Sequence, residues 1–540
     1  MNRREIIKNL SALPIAGAMY PIESMVDFQP RRANAAPAQN IYQRIGVEPV
    51  INCRGTFTII GGSVPRPRVM EAQREAQSCF AQLDEVAFAV GERLAELTGA
   101  EWGMVPAGCA CGLKYVTMAS ITGGNPEKLV RIPNLTGFEK TEVLSPRRSR
   151  NTYDSAITNV GVTMIDVDTP EEMANAINSK TALIHMMANN QVPPDGPFSL
   201  EQVARMAKPR NIPILVDAAA EDLTVPNVHL QRGATVVAYS GGKALCGPQS
   251  AGLLLGNKDL LMSAWQASAP HHGPGRDSKV NKDEQIAMVA AVEDWVSRDH
   301  AAKVREWNTW LQNIARRLSA INGISCTVSD LPSGLSNRSL NLRISWDPEI
   351  FNLYGTDVAE ILATTKPRIA LSASYLDNNG MTGVSITSGR MQPGEDRIVA
   401  DRLFEVLSQK YDKPKAMDAP RVNVSGRWNV DIDFFSSRGR HQLFIEQDGN
   451  NIKGSHKGDF TTRDMYGIVD GNQIMMFSRE SQNARNVPFT FHGTATNDKI
   501  EGGIYMGEYL RVKGFTATRY EQATPANPRI VVPQGQPLAT

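Results

Sequence analysis

From about Ile41 to Lys410 the sequence alternates between helix-like and strand-like segments, and this alternation is its strongest constraint on the fold. Two short apolar runs, TALIHMMA and IPILVDAAA, flank the helix-like segment SLEQVARMAKPRN, which is the order of a βαβ unit. The segments GATVVAYSGGK and SAGLLLG continue the series of strands. The pattern therefore predicts an α/β fold with a mostly parallel sheet.

The C-terminal part of the chain has a different pattern. Residues 413–420, KPKAMDAP, have the composition of a linker. Beyond them, residues 441–460 alternate apolar and polar side chains around an Asp-Gly turn, and similar strands follow. This pattern predicts an antiparallel β-meander that closes into a small barrel or sandwich, with Trp428 in its core.

Two long helical tracts are predicted in the α/β region. Residues 67–100 are predicted to form one helix that stops at Gly99, and residues 283–321 another with at most one break. The predicted organisation is a signal peptide at 1–35, a large α/β domain at 41–300, a small α/β domain at 301–412, a β-barrel-like domain at 421–520 and a tail at 521–540.

Size and charge exclude some functions. A chain of 540 residues is longer than one hydrophobic core usually organises. Its net charge of +1 gives no electrostatic reason to expect nucleic acid or an acidic membrane surface as a partner. The six cysteines are scattered, which favours small buried residues over a metal site or disulfides.

The N-terminus resembles a twin-arginine export signal. Arg3 and Arg4 precede an apolar stretch, and small residues suited to cleavage follow near Ala35. The alternative is a basic N-terminus with no targeting role. No later segment has the roughly 18 unbroken apolar residues of a membrane span. The sequence predicts an exported, periplasmic protein without a stable membrane span.

One lysine lies in an unusually tight and apolar setting. In YSGGKALCGPQSAGLLLG, residues 239–256, Lys243 follows two glycines and precedes an alanine. A buried lysine can act as a nucleophile, and its best-known covalent use is a Schiff base with pyridoxal phosphate. Such a cofactor needs an acidic partner for its ring nitrogen. Asp217 ends an apolar strand 26 residues earlier, so one βα connection brings both residues to the same sheet edge.

Other groups suited to this cofactor lie nearby in the sequence. The turn PAGCACGL, residues 106–113, opens a helix whose first amides would hold a phosphate. These amides belong to Gly108, Cys109, Ala110 and Cys111. Ser240 would add a hydroxyl, and Ala219 or Ala220 would lie flat against the ring.

The segments VDAAAEDL and YSGGKALCGPQSAGLLLG, with the earlier YQRIGVEPVINCRGTFTIIGGS, resemble a known family. This is the fold-type-I pyridoxal-phosphate family that contains bacterial selenocysteine synthase and D-glucosaminate-6-phosphate ammonia-lyase. The ammonia-lyase branch is more similar, because it shares the Asp-Ala-Ala-Ala-Glu run and the Ser-Gly-x-Lys-Ala-x-x-Gly-Pro segment. The resemblance covers residues 41 to about 410. The export signal and the β-domain depart from the familiar cytoplasmic enzymes.

The resemblance implies roles for individual residues. Lys243 matches the Schiff-base lysine and Asp217 the partner of the pyridine nitrogen. Arg276, in GPGRDSKVNKDE, matches a basic segment of the family. The resemblance implies that Arg276 reaches a phosphate, with contact across the interface of a homodimer or higher homo-oligomer as one arrangement. Arg54 and Arg390 are candidates for binding a substrate carboxylate, with a surface role as the alternative for Arg390.

Other interpretations of Lys243 stand beside this one. Ser240 and Lys243 match the S-x-x-K motif of penicillin-binding hydrolases, but the S-D-N and K-T-G partners of that motif are absent. Alternatively, Lys243 is an exposed loop lysine and Asp217 a helix cap. The neighbouring His271 and His272 are candidates for acid–base work, with a loop role favoured for at least one of them.

The sequence therefore predicts a pyridoxal-phosphate lyase. It would remove the α-proton of a small amino acid or amino-sugar acid, expel a β-hydroxyl or other β-leaving group, and release ammonia. A transferase, aldolase or racemase would use the same lysine and aspartate, and remains open. A non-catalytic binding protein on the same scaffold is a further alternative.

Overall fold

The computed structural model describes residues 40–188, 192–413, 415–479, 487–510 and 512–521. These residues form two compact units, of which the first ends at Lys413 and the second follows it. The boundary coincides with the start of the linker-like segment. The predicted export signal at 1–35 lies outside the described residues, as does nearly all of the predicted tail. Within the described ranges, no helix is both long enough and apolar enough to cross a membrane.

The helices of the described residues are α1 (Ile41–Arg44), α2 (Pro67–Gln77), α3 (Leu83–Thr98), α4 (Cys109–Thr122), α5 (Pro126–Leu129), α6 (Asp154–Thr158), α7 (Pro170–Ala176), α8 (Leu200–Ala207), α9 (Val228–Gln231), α10 (Lys258–Gln266), α11 (Lys282–Ser297), α12 (His300–Leu318), α13 (Pro348–Phe351), α14 (Gly355–Thr364) and α15 (Glu395–Leu407). The strands of the first unit are β1 (Val50–Asn52), β2 (Trp102–Met104), β3 (Glu142–Pro146), β4 (Thr163–Val167), β5 (Thr181–Met187), β6 (Ile214–Asp217), β7 (Val236–Ser240), β8 (Gly252–Gly256), β9 (Ser325–Val328), β10 (Asn341–Trp346), β11 (Arg368–Ala370), β12 (Ser372–Ser374) and β13 (Thr382–Thr387). The strands of the second unit are β14 (Gly426–Asp433), β15 (Arg438–Asp448), β16 (Asn451–Lys457), β17 (Thr462–Asp470), β18 (Gln473–Arg479), β19 (Phe489–Ala495), β20 (Lys499–Tyr505) and β21 (Gly514–Arg519).

A seven-stranded sheet organises the first unit in the order β2-β8-β7-β6-β5-β3-β4. The five strands from β7 to β4 run parallel, whereas β8 is antiparallel to both of its neighbours. Strands β6 and β8 are buried along their whole length, as expected for a sheet covered on both faces. The predicted α/β fold with a mostly parallel sheet is confirmed, and α8 is the predicted crossover between β5 and β6.

The predicted single helix at 67–100 is wrong, because the chain breaks it after Gln77. The side-chain oxygen of Gln82 accepts the amide of Glu85 at 2.7 Å and starts α3 as a new helix. Asp84 and Glu85 add negative charge to its first turn, which favours a helix start. The predicted stop at Gly99 is confirmed by its left-handed φ of 72°.

The predicted tract 283–321 is divided once, at Arg298 and Asp299. The carboxylate of Asp299 accepts the amide of Ala302 at 2.8 Å and begins α12. This helix leads into a four-stranded antiparallel sheet of order β12-β13-β10-β9. Strands β1 and β11 form a separate two-stranded parallel sheet. Next to that pair, Cys53 donates to the carbonyl of Ala370 and accepts from Thr387, both at 2.8 Å, which fixes the position of the residue that follows it, Arg54.

The second unit is a closed barrel of eight antiparallel strands, β14 to β21 in chain order. Alternate residues of each strand face a core that includes Trp428, which is fully buried. Trp428 is therefore a core residue, as predicted. Because neighbouring strands in the chain are also neighbours in the barrel, the alternation of the sequence predicted the antiparallel meander. The structure shows that this meander closes into a barrel and does not form a sandwich.

Candidate active site

Asp217 and Lys243 lie where two adjacent parallel strands end. Asp217 is the last residue of β6 and is 2% exposed. Its Oδ1 atom accepts the amide of Ala219 at 3.0 Å. Lys243 lies in the turn after β7, and its amide donates to the carbonyl of Ser240 at 3.4 Å. The prediction that one sheet edge carries both residues agrees with this geometry.

The two glycines before Lys243 allow its turn to pack tightly. A Cβ atom on Gly241 would lie 2.7 Å from the carbonyl oxygen of Ala251, and one on Gly242 would lie 2.8 Å from the Cα atom of Gln249. Both distances are shorter than real Cβ contacts, and the atoms they meet belong to the backbone. Glycine is therefore required at both positions for the lysine-bearing turn to adopt this conformation.

The predicted phosphate cradle is the N-terminus of α4. Gly108 precedes the helix with a φ of +84°, and the amide of Gly112 makes a helical hydrogen bond to the carbonyl of Gly108 at 3.1 Å. The amides of Cys109, Ala110 and Cys111 therefore lie in the first turn, where no preceding helical carbonyl is available to them. Such amides and the helix dipole favour an anion.

Cys109 links this helix to Asp217. Its thiol donates to Oδ1 of Asp217 at 3.7 Å. Burial raises the pKa of Cys109 well above its usual range, and the charge of Asp217 raises it further. The thiol is therefore protonated at neutral pH and acts as a weak donor to the carboxylate.

His185 is a buried polar residue on β5 that sequence reasoning missed. Burial lowers its pKa to about 4, so the ring is neutral at physiological pH. Its Nδ1 atom lies 3.3 Å from the hydroxyl of Ser145, whereas its Nε2 atom is buried without a hydrogen-bond partner among the described residues. A histidine inside the apolar run TALIHMMA was the available signal.

A cavity of about 470 Å³ contains Lys243 together with Arg54 and Arg390 in its lining. Arg54 is 8% exposed, and its guanidinium lies over the ring of Phe57 at 4.2 Å. Arg390 donates from Nη1 to the carbonyl oxygen of Lys243 at 3.1 Å and to Sγ of Cys246 at 3.0 Å. Both arginines predicted to bind a carboxylate therefore line the same cavity as Lys243. This placement argues against the alternative that Arg390 is only a surface residue.

Two charged residues of this cavity were not predicted. Arg338 and Asp222 face each other with 3.9 Å between Nη1 and Oδ2. Burial raises the pKa of Asp222 to about 6, although Arg338 and Arg390 act in the opposite direction. With Arg54 and Lys243, the described lining carries four basic side chains and one carboxyl group. The cavity therefore favours a ligand with negative charge.

Other predicted site residues do not line this cavity. Ala220 belongs to its lining, but Ala219, Ser240 and Arg276 do not. Arg276 lies in the loop 273–278, which the hydroxyl of Tyr115 joins to α4 through a 2.6 Å hydrogen bond to the carbonyl of Ser278. The roles of Ser240, Ala219 and Arg276 at the cofactor stay predictions, as does the dimer interface proposed for Arg276.

His271 has a structural role in its loop. Its Nδ1 atom lies 3.2 Å from the carbonyl oxygens of Trp265 and Ser268, and its Nε2 atom lies 3.1 Å from Asp84. Neither His271 nor His272 lines the cavity of Lys243. This agrees with the loop role favoured from the sequence.

Comparison with known proteins connects this geometry to a family. Residues 148–329 match the family model of the class-V aminotransferases. These residues are therefore similar to an aminotransferase class-V domain. The chain is 29% identical over 383 residues to D-glucosaminate-6-phosphate ammonia lyase of Salmonella typhimurium, covering 69% of this chain and 99% of that protein. The resemblance to this ammonia lyase expected from the motifs is confirmed.

Two further similarities concern a solved structure and a different activity. A solved D-glucosaminate-6-phosphate ammonia-lyase aligns with a TM-score of 0.62 and 27% identity, covering 69% of this chain and 100% of that one. A 5'-C-glycyluridine monooxygenase-decarboxylase of a Streptomyces species is 25% identical over 395 residues, covering 70% of this chain and 95% of that protein. The first unit therefore has the fold-type-I architecture, and these similarities imply pyridoxal 5'-phosphate as its cofactor.

The residues of the site fit this cofactor. Asp217 supplies a buried carboxylate suited to a protonated ring nitrogen, and the first turn of α4 supplies amides suited to a phosphate. Cys109 joins these two features directly. Lys243 lies in the turn after β7, the strand that pairs in parallel with the strand of Asp217. These groups thus lie at the ends of the adjacent strands β6 and β7 and at the start of α4.

Proposed function

We propose that this chain is a pyridoxal-phosphate lyase acting on an anionic amino acid or amino-sugar acid. It removes the α-proton, eliminates a β-hydroxyl or similar β-substituent, and releases ammonia with a keto acid. The observation that carries the proposal is the cavity in which Lys243 lies among Arg54, Arg338 and Arg390. Its similarity over most of the chain to an ammonia lyase that acts on a phosphorylated amino-sugar acid supports the same class of substrate.

The bound cofactor supplies an electron sink for the negative charge that develops at the α-carbon. Lys243 would hold it until the amine of the substrate takes the place of the lysine, and the freed amine of Lys243 then takes the α-proton because it is the base next to that carbon. Asp217 keeps a positive charge on the ring nitrogen. Arg54 and Arg390 bind the substrate carboxylate, which a guanidinium can contact through two parallel hydrogen bonds. These contacts orient the substrate for loss of the α-proton.

A transferase, aldolase or racemase is the second candidate. The similarity to a monooxygenase-decarboxylase supports this second candidate, because two proteins of comparable identity to this chain carry different activities. All of these reactions would use Lys243 and Asp217, and they differ in which substrate bond breaks.

Product analysis separates these candidates. We expect the purified holoenzyme, incubated with amino-sugar acids and 3-hydroxy amino acids, to release ammonia and keto acid in equal amounts. Borohydride should attach the cofactor to the peptide containing Lys243, and Lys243→Ala should lose both results. Lys258→Ala is the matched control, because Lys258 forms a partly exposed ion pair with Glu92. Racemisation or aldehyde release without ammonia would reject the lyase, and a label on another peptide would reject Lys243.

A further inference from the structure

Asp222 is held rigidly at the cavity by its neighbours in the chain. The amide of Glu221 donates to the carbonyl of Ala218 at 2.9 Å, and the amide of Asp222 donates to the carbonyl of Leu335 at 3.0 Å. The buried carboxylate of Glu221 lies 2.6 Å from Nε2 of His229. Asp222 is thus anchored through its own backbone and through the preceding residue, while its carboxyl group lines the cavity.

The surroundings of Asp222 suit a group that exchanges a proton. Its pKa is raised to about 6, because the effect of burial exceeds the opposing effects of Arg338, Arg390 and Arg298, and the charge of Glu221 acts in the same direction as burial. The contact with Arg338 is long, at 3.9 Å, so it is not a tight ion pair that would keep the carboxylate ionised. Among the described residues of the lining, Asp222 carries the only carboxyl group. A carboxyl group with a pKa near the working pH can both hold and release a proton.

The proposed elimination requires such a group. A β-hydroxyl is a poor leaving group unless it takes up a proton as the bond to carbon breaks. Lys243 serves at the α-carbon, and the arginines of the cavity do not release protons at physiological pH. A second acid facing the substrate would supply this proton while the protonated Lys243 stays at the α-carbon.

We propose that Asp222 donates the proton to the departing β-hydroxyl group, an inference that rests on the proposed lyase activity. The α-proton goes to the amine of Lys243. The Cβ–O bond breaks with its electron pair going to oxygen, which takes the proton of Asp222 and leaves as water. A Cα–Cβ double bond forms. The amine of Lys243 passes the α-proton to solvent and takes the place of the product nitrogen on the cofactor, and the released enamine is hydrolysed by water to ammonia and keto acid. Asp222 is left as a carboxylate and regains a proton from solvent.

A change of leaving group tests this role. Asp222→Asn keeps the shape of the side chain but has no acidic proton. We expect this variant to release ammonia from a 3-hydroxy amino acid about 100-fold or more slowly than the wild type, which is the usual contribution of a general acid. Elimination from β-chloroalanine should change by less than about threefold, because chloride leaves without a proton. Asp401→Asn, at a 71% exposed carboxylate paired with Arg317, is the control and should leave both rates unchanged.

Two readouts distinguish proton donation from a structural role. Asp222→Asn holoenzyme should still exchange the substrate α-proton for deuterium at nearly the wild-type rate. In holoenzyme labelled with carboxyl-¹³C aspartate, a resonance that titrates near pH 6 should be present in the wild type and absent in Asp222→Asn. Equal losses with both leaving groups, or loss of deuterium exchange, would overturn the proposal. If the wild type eliminates from neither substrate, the proposed lyase activity fails, and this inference fails with it.

Discussion

The thiol of Cys109 lies 3.7 Å from Oδ1 of Asp217, although the two residues are 108 positions apart in the chain. The contact joins the first residue of α4 to the last residue of β6. It therefore places the amides predicted to hold a phosphate next to the carboxylate predicted to face a pyridine nitrogen. The spacing between these two features is set by the packing of α4 against the sheet.

The carboxylate of this pair should matter far more than the thiol. We expect Asp217→Ala to keep part of its cofactor binding but to slow α-proton removal by several orders of magnitude, because an unprotonated ring is a weaker electron sink. Cys109→Ala should change the rate by less than about tenfold, since a thiol is a weak donor. Exchange of the substrate α-proton with deuterated water measures both. Near-normal exchange in Asp217→Ala would show that another group protonates the ring.

Arg390 should determine affinity for anionic substrates. Arg390→Ala is expected to raise KM by roughly tenfold to 100-fold, the loss of a hydrogen bond to a charged group. Arg390→Lys should fall between this variant and the wild type, because an ammonium cannot form two parallel hydrogen bonds. Arg343→Ala is the matched control, since Arg343 is 57% exposed and pairs with Asp377. Steady-state kinetics of the wild type and these variants measures KM. An unchanged KM in Arg390→Ala would exclude carboxylate binding by this residue.

The ionised carboxylate of Asp222 should lower the stability of the folded protein at neutral pH. The pKa of Asp222 in the folded protein is raised to about 6, so the folded state binds a proton at this residue more tightly than the unfolded chain does. The contribution of Asp222 to the free energy of unfolding is therefore fully present below the pKa of the unfolded chain and is lost as the pH rises through 6. We expect Asp222→Asn to gain stability relative to the wild type across that interval, by up to about 3 kcal/mol above pH 7. Thermal melts of both proteins between pH 4 and pH 8 measure the difference. A difference in Tm that does not change with pH would contradict this prediction.

The first unit should fold without the barrel. Strands β14 to β21 close on one another and bury their own core, so the barrel needs no strand from the preceding unit. We expect a chain ending at Lys413 to be folded and to bind pyridoxal phosphate with the absorbance of the full-length protein. Visible spectroscopy and circular dichroism test this. An insoluble product, or one that fails to bind the cofactor, would show that the first unit depends on the barrel.

We propose that the chain is exported by the twin-arginine route, which carries folded proteins. This would let it acquire its cofactor in the cytoplasm before transport. Replacing Arg3 and Arg4 with lysine should leave holoenzyme in the cytoplasm, whereas the native protein should be periplasmic and cleaved near Ala35. Cell fractionation and N-terminal sequencing test both points. Periplasmic protein from the double variant would argue against this route without affecting the catalytic proposal.

The sequence by itself was enough to predict the α/β fold, the antiparallel β-meander of the second unit, and the placement of Asp217 and Lys243 at one sheet edge. These features depend on short-range rules. Apolar runs mark buried strands, parallel strands end at a common edge, and strands adjacent in a meander pair with each other. Arg54 and Arg390 were also proposed from the sequence, because a guanidinium suits a carboxylate wherever it lies.

Only the tertiary structure decided which of these residues share a cavity. The contacts of Arg390 with Lys243, of Asp222 with Arg338 and of Cys109 with Asp217 join segments far apart in the chain. No local periodicity encodes such contacts, since they follow from how helices and sheets pack. The pKa of Asp222 and the neutral ring of His185 also depend on burial by distant segments. The sequence specifies the type of each side chain, whereas its solvent exposure and charged neighbours, which shift its pKa, are properties of the folded chain.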